Sequence, residues 1–106
     1  MEIVGIKLIK DDNFVKYIKP IKDINVMLSI GEIKNRILNN EYVIEFDLMG
    51  DVHEQIRLGT DQYTINLNFV NNLKDLELLG AKIEVFLNDE LITMEKLVDK
   101  IKFLKE

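Results

Sequence analysis

His53 is the single histidine in the chain, and imidazole is the side chain whose ordinary pKa suits acid–base chemistry near neutrality. A general base also needs a nucleophile or an orienting partner. The sequence offers no cysteine and no Gly-x-Ser-x-Gly elbow, so His53 reads as a solvated loop residue. Asp47, Asp51, His53 and Glu54 gather four potential ligands within eight positions. Their spacing matches neither a calcium loop nor the His-Glu-x-x-His zinc helix, and no metal is expected. Glu45 and Asp47 lie two apart on a strand, which places both carboxylates on one face as paired acid–base chemistry requires. With no pocket implied around them, they read as a polar sheet face. Gly31 and Gly50 stand alone, so no phosphate-cradling loop and no cofactor are expected. The expectation is a protein that is not an enzyme.

Charge points elsewhere. The chain carries a net charge of −5, which disfavours nucleic acid as a partner, because that binding rests on lysine and arginine neutralising phosphates. The charge is unevenly placed. Residues 1–40 hold seven basic against five acidic side chains, and residues 41–106 hold seven against fourteen. Lys16, Lys19, Lys22, Lys34 and Arg36 form a basic face, read either as ordinary solvated helix surface or as a dock for an acidic protein. Only Phe14 and Tyr17 interleave aromatics there. Asp47, Asp51, Glu54 and Asp61 make an acidic counterpart. An acidic excursion of this kind suits the alternative of a toxin-immunity or antitoxin-type inhibitor, which would cover a basic toxin surface.

Length and composition set the frame for both surfaces. The 106 residues, 47% apolar and 31% charged, describe a single domain spanning 1–106. A chain this long buries roughly two thirds of its unfolded surface and needs no staples. The absence of cysteine removes disulfides and thiolate zinc sites and fits a reducing cytoplasm. The opening stretch MEIVGIKLIK lacks the basic start and long apolar run of a secretory signal. No apolar run approaches the ~20 residues of a membrane span. A cytoplasmic protein without membrane contact is expected.

Residues 3–9 read as a strand buried on much of both sides, with Val4, Ile6 and Leu8 on one face. Asp12 or Asn13 caps a helix whose apolar face is Phe14, Ile18, Ile21 and Asn25; either it kinks at Pro20, as the unbroken apolar spacing favours, or the helix starts at Ile21 after an irregular turn. Ser29-Ile30-Gly31-Glu32 is a capping box, with Leu28 and Ile33 as its hydrophobic staple. It opens a helix running to Leu38 and ending at Asn39-Asn40. Residues 42–48 alternate as a strand. Residues 52–61 read either as a strand, with Val52, Glu54, Ile56 and Leu58 on one side, or as an irregular excursion. Ile65, Phe69, Leu73, Leu76 and Leu79 mark a helix stopped by Gly80. A strand over 81–87, a turn at Asn88-Asp89 and a short returning strand over 90–93 follow, and Thr93 caps a last helix. The order β-α-α-β-(loop or β)-α-β-α predicts an α+β domain. Its sheet has three or more strands, with helices packed on one or both faces. The last helix either closes this sheet or exchanges with a second chain, which would give a homo-oligomer.

In order and local residues, positions 3–87 resemble the C-terminal domain of the bacterial ribosomal large-subunit stalk protein, leaving 88–106 as an added turn and helix. That family opens its second helix with Gly-Leu-Gly-Leu-Lys-Glu-Ala-Lys. Here Met27-Leu28-Ser29-Ile30-Gly31-Glu32-Ile33-Lys34 stands at that place, with Met27 and Ser29 where the family has glycine. The family's Leu-Glu-Glu-Ala-Gly-Ala-Glu-Val is similar to Leu76 through Ile83. The resemblance implies a non-enzymatic, bacterial protein-binding module that docks translational GTPases through its first two helices. Lys19 and Lys34 are the positions that carry over, with Ile18 and Ile30 as apolar contacts.

Overall fold

A computed structural model describes residues 1–105. Its centre is strand β1 (Ile3–Leu8), which pairs antiparallel with β2 (Ile44–Asp47) on one side and with β3 (Ile83–Leu87) on the other. β4 (Glu90–Ile92) extends β3 as a hairpin, giving a four-stranded sheet in the order β2-β1-β3-β4. The register aligns Val4 with Phe46 and Leu87, and Ile6 with Ile44 and Val85. Because side chains alternate along each strand, this gathers Val4, Ile6, Leu8, Ile44 and Val85 on one face, all buried.

The helices cover that face. They are α1 (Ile18–Ile24), α2 (Ile30–Leu38), α3 (Val52–Leu58), α4 (Gln62–Leu78) and α5 (Met94–Lys105), with a 3-10 turn over Phe14–Tyr17 leading into α1. Ile21, Ile33, Leu73, Leu97 and Ile101 are fully buried and join the sheet residues in one cluster. α5 packs on α4. The α+β class and the element order agree with the sequence. No helix among the described residues is long and apolar enough to cross a membrane.

Several details differ from the sequence expectations. β1 is not enclosed on both sides: Ile3 and Lys7 on its second face are only partly buried. The second-face neighbours Glu45 and Leu91 are exposed. Pro20 does not kink a long helix. The chain runs through the 3-10 turn and α begins at Ile18, which puts Pro20 in the first turn, where its missing N–H costs nothing. Asn25 ends α1 rather than extending its apolar face. Strand 42–48 shortens to four residues. The segment after it is neither strand nor irregular: Asp51 caps α3, and Gly59, at φ 67°, stops it.

Helix ends are where sequence and structure agree most closely. Ser29 and Glu32 form the full capping box. Asn40, at φ 55°, and Gly80, at φ 103°, take the left-handed conformation after α2 and α4. Both stops are Schellman motifs: Glu41 N–H bonds the Arg36 carbonyl after α2, and Ala81 N–H bonds the Leu76 carbonyl after α4. Asn88 and Asp89, both at positive φ, form the two-residue hairpin turn, and the Thr93 hydroxyl accepts the Lys96 amide to start α5.

On the open face, Gly5 is an exclusion device. A Cβ there would come within 2.6 Å of the Tyr42 ring. Tyr42 lies over Gly5, meets Phe86 edge-on at 5.5 Å, and donates its hydroxyl to Asp89 at 2.8 Å. Burial, then the Asp89 hydrogen bond, then the Asp89 and Glu45 charges push the Tyr42 phenol up to about 12 from 10.0. Between those pH values the native chain keeps a proton that the unfolded chain releases. This contribution is complete below pH 10 and is lost as pH rises toward 12. Tyr42→Phe is expected to cost about 1 kcal/mol at neutral pH and to flatten that alkaline decline, read from urea midpoints across the same pH range.

Candidate functional site

The corner between α1 and α2 is built by local signals. Ile18 and Ile21 bury the inner side of α1. Asn25 closes the helix with its amide on the Ile21 carbonyl at 2.8 Å, and its side chain donates to the Val43 carbonyl at 3.4 Å. Leu28 is then drawn into the core, and Ser29 starts α2. The Glu32 carboxylate accepts the Ser29 amide, and this bond above all holds its pKa below the usual value, helped by the Ser29 hydroxyl and by the Arg36 and Lys22 charges.

Lys22 spans the corner from beneath. Its ammonium donates to the Leu28 carbonyl at 2.8 Å and to the Val26 carbonyl at 3.4 Å. Two residues of the connection are left with their apolar side chains outward: Val26 is 70% exposed and Met27 86%. Ile30, in the first turn of α2, is 60% exposed. Three large apolar side chains thus stand in water within five residues, on a backbone pinned from both ends.

The five basic residues expected to share this face divide by role. Lys22 and Arg36 hold backbone carbonyls, Arg36 donating to Tyr42 O at 3.1 Å. Lys16 lies 5.4 Å from the Tyr17 ring centre. Lys19 and Lys34 are exposed and make no hydrogen bond or ion pair among the described residues. Ile18, expected as an apolar contact, is 6% exposed and belongs to the core, whereas Ile30 is available. Val26 is not among the site residues expected from the sequence. The signal is three apolar residues in a row, Val26, Met27 and Leu28, between a helix stop and a capping box, where polar turn residues are the norm.

The acidic set is placed along one strap from β2 to α4. Asp47 accepts the Met49 amide at 2.9 Å. Asp51 caps α3 through the Glu54 amide at 2.7 Å, and Asp61 caps α4 through the Thr64 amide at 2.8 Å. The Thr64 bonds hold the Asp61 carboxyl below its usual value. Glu54 pairs with Arg57 one turn on, which lowers the acid and raises the base. Each of the four therefore has a local partner. His53 is exposed on α3 rather than in a loop. Glu45 and Asp47 do share the open sheet face, opposite Gly5 and Ile3. No group of three or more His, Asp or Glu side chains able to hold a metal occurs among the described residues.

Comparison with known proteins gives no further orientation: the chain matches no family model, no curated protein and no solved structure.

Lys22→Ala tests how the corner is held. Losing both carbonyl contacts is expected to cost about 1 kcal/mol and to speed hydrogen exchange of the amides from 26 to 28, with the β1 amides unaffected. Unchanged exchange at 26–28 would mean the corner is rigid without Lys22.

Proposed function

We propose that this chain is a non-enzymatic protein-binding module and that it docks through the α1–α2 corner. The observation that carries this reading is the exposure of Val26, Met27 and Ile30 on a capped, hydrogen-bonded backbone, with the unengaged cations Lys19 on α1 and Lys34 one turn after Ile30 on α2. Burying three such side chains in an interface gains roughly 1.5–3 kcal/mol each at full burial. A backbone already ordered by Lys22 and the capping box forfeits little entropy on binding. The two lysines would steer an acidic surface into register and set its encounter rate more than its final affinity.

The partner is therefore a protein surface combining carboxylates with an apolar pocket. The resemblance of Met27 through Lys34 to the stalk domain's second-helix turn supports the same corner, and on that reading a translational GTPase is the partner class. The toxin-immunity alternative uses the acidic strap instead, but there Asp51 and Asp61 serve as helix caps.

Photo-crosslinking in the source cell separates these readings. A crosslinker at Met27 is expected to trap a protein, and Lys19→Glu with Lys34→Glu is expected to weaken that partner's purified affinity roughly tenfold. Glu54→Lys with Asp51→Asn, which keeps the α3 cap, is expected to leave it unchanged. Adducts formed only from position 54, and lost in the Glu54→Lys chain, would transfer the function to the acidic strap.

A further inference from the structure

A trough runs along α4, separate from the α1–α2 corner. Its wider part, about 460 Å³, has Phe46 and Phe69 in its floor, stacked at 4.1 Å, with Ile24, Ile65 and Leu58 as walls. A second hollow of about 220 Å³ continues it toward Leu76 and Leu79 and shares Asp23, Ile24 and Asn72 with the first. The lining stretches from Ile65 on α4 to Leu79 at its C-terminal cap, roughly 21 Å at the helical rise of 1.5 Å per residue. The trough stays open because the elements on its far side are short: α1 ends at Ile24, and α3 contributes no fully buried side chain.

The charged groups in the lining are Asp23, Asp75 and Glu54, all negative. Glu54 is engaged by Arg57. Asp23 and Asp75 have no ion-pair partner among the described residues. Lys19 stands one turn before Asp23 on α1 without pairing to it, and it lies outside the lining. The remaining rim is amide and hydroxyl: Asn68, Asn72 and Thr60.

An elongated apolar floor with free carboxylates at its rim selects for shape and charge together. A small organic cation would fill a fraction of that length. A polyamine would satisfy the carboxylates and leave Phe46, Leu58 and Leu79, the lining's accessible apolar side chains, uncovered. We propose that the trough binds an amphipathic peptide segment of a partner protein. Its leucine-like side chains would lie on Phe46, Leu58 and Leu79, and its lysine or arginine side chains would reach Asp23 and Asp75. This site is independent of the α1–α2 corner and opposite to it in the charge it accepts.

The test uses the full chain and three probes followed by amide chemical shifts. The probes are a synthetic peptide of about 14 residues, long enough to follow the lining as a helix, with leucine and lysine at helical spacing, its leucine–glutamate counterpart, and spermine. The leucine–lysine peptide is expected to shift amides from Ile65 to Leu79 and at Phe46, and the glutamate peptide is expected to shift none. Asp23→Lys with Asp75→Lys should weaken binding at least tenfold, roughly 1.4 kcal/mol. A single carboxylate-to-lysine reversal at Glu84 on the open sheet face, and Met27→Asp in the corner, should each change it less than twofold. Failure of Met27→Asp chains to hold the corner's partner while the peptide still binds would leave this site standing alone. Three results overturn the proposal: equal weakening by Glu84→Lys, spermine competing as well as the peptide, or shifts centred outside the trough.

Discussion

The register of β1 is the constraint on which the other elements depend. It is paired on both edges, so one alignment fixes two neighbouring strands at once. The side-chain period of a strand is two, and a slip of one residue would turn Gly5 and Lys7 toward the helices and expel Val4, Ile6 and Leu8. Two features outside the core hold the alignment. Tyr42 fits over position 5 because glycine is there. Asn88 is tied to Ile3 in both directions, its amide donating to the Ile3 carbonyl at 2.8 Å and its side-chain oxygen accepting the Ile3 amide at 2.9 Å. The hairpin turn and the first strand thereby fix each other, although 85 residues separate them.

With one sheet face covered, the helices inherit their positions from that face, and their ends are closed by side chains rather than by long packing. The strap from β2 to α4 shows this most clearly. Asn66 is the one buried polar residue among those described, and its amide reaches the Leu48 carbonyl at 3.1 Å while its oxygen accepts from Gln62 at 2.8 Å. An unpartnered buried carbonyl at Leu48 would cost about 1–3 kcal/mol, so Asn66 fixes where the strand ends and where α4 must pass. Between those two points α3 is held by its caps. Val52 and Ile56 remain in water, and the helix adds little to the core.

That division explains which parts were legible in the sequence. Ser29 and Glu32, Asn40, Gly80 and Thr93 were readable because a cap is a local event: the side chain bonds a backbone group within a few residues. β1 and α4 were readable because burial imposes their periods of 2 and 3.6. α3 was not, since its apolar residues answer to no core. Val52, Glu54, Ile56 and Leu58 alternate as a strand would, and the helical information sat in the Asp51 cap, Glu54 three residues on, and Gly59. Pro20 misled because helix start and helix interior differ by a single turn. At the candidate corner the sequence supplied five cations but could not tell which of them the backbone would claim. Lys22 and Arg36 reach carbonyls of residues four to six positions away only once the chain has turned at Asn25 and Asn40.

A binding surface in so small a domain consists of whatever folding leaves unused. Lys19 and Asp23 sit at i and i+4 on α1 and could pair, yet exposed helix pairs are worth only about 0.2–0.5 kcal/mol, and the order with lysine first is the weaker one. The structure leaves both free. Their neighbour Lys22 meets two carbonyls on a partly buried path, and there the competition goes to the fold. The same rule separates Val26, Met27 and Ile30 from Leu28: one side chain of the connection is enough to anchor it, and the others stay outside. Charge alone therefore does not mark a docking face on this chain. On the proposed reading, what would mark it is an unengaged charge together with an unburied apolar side chain on hydrogen-bonded, capped backbone, and the α1–α2 corner has all three.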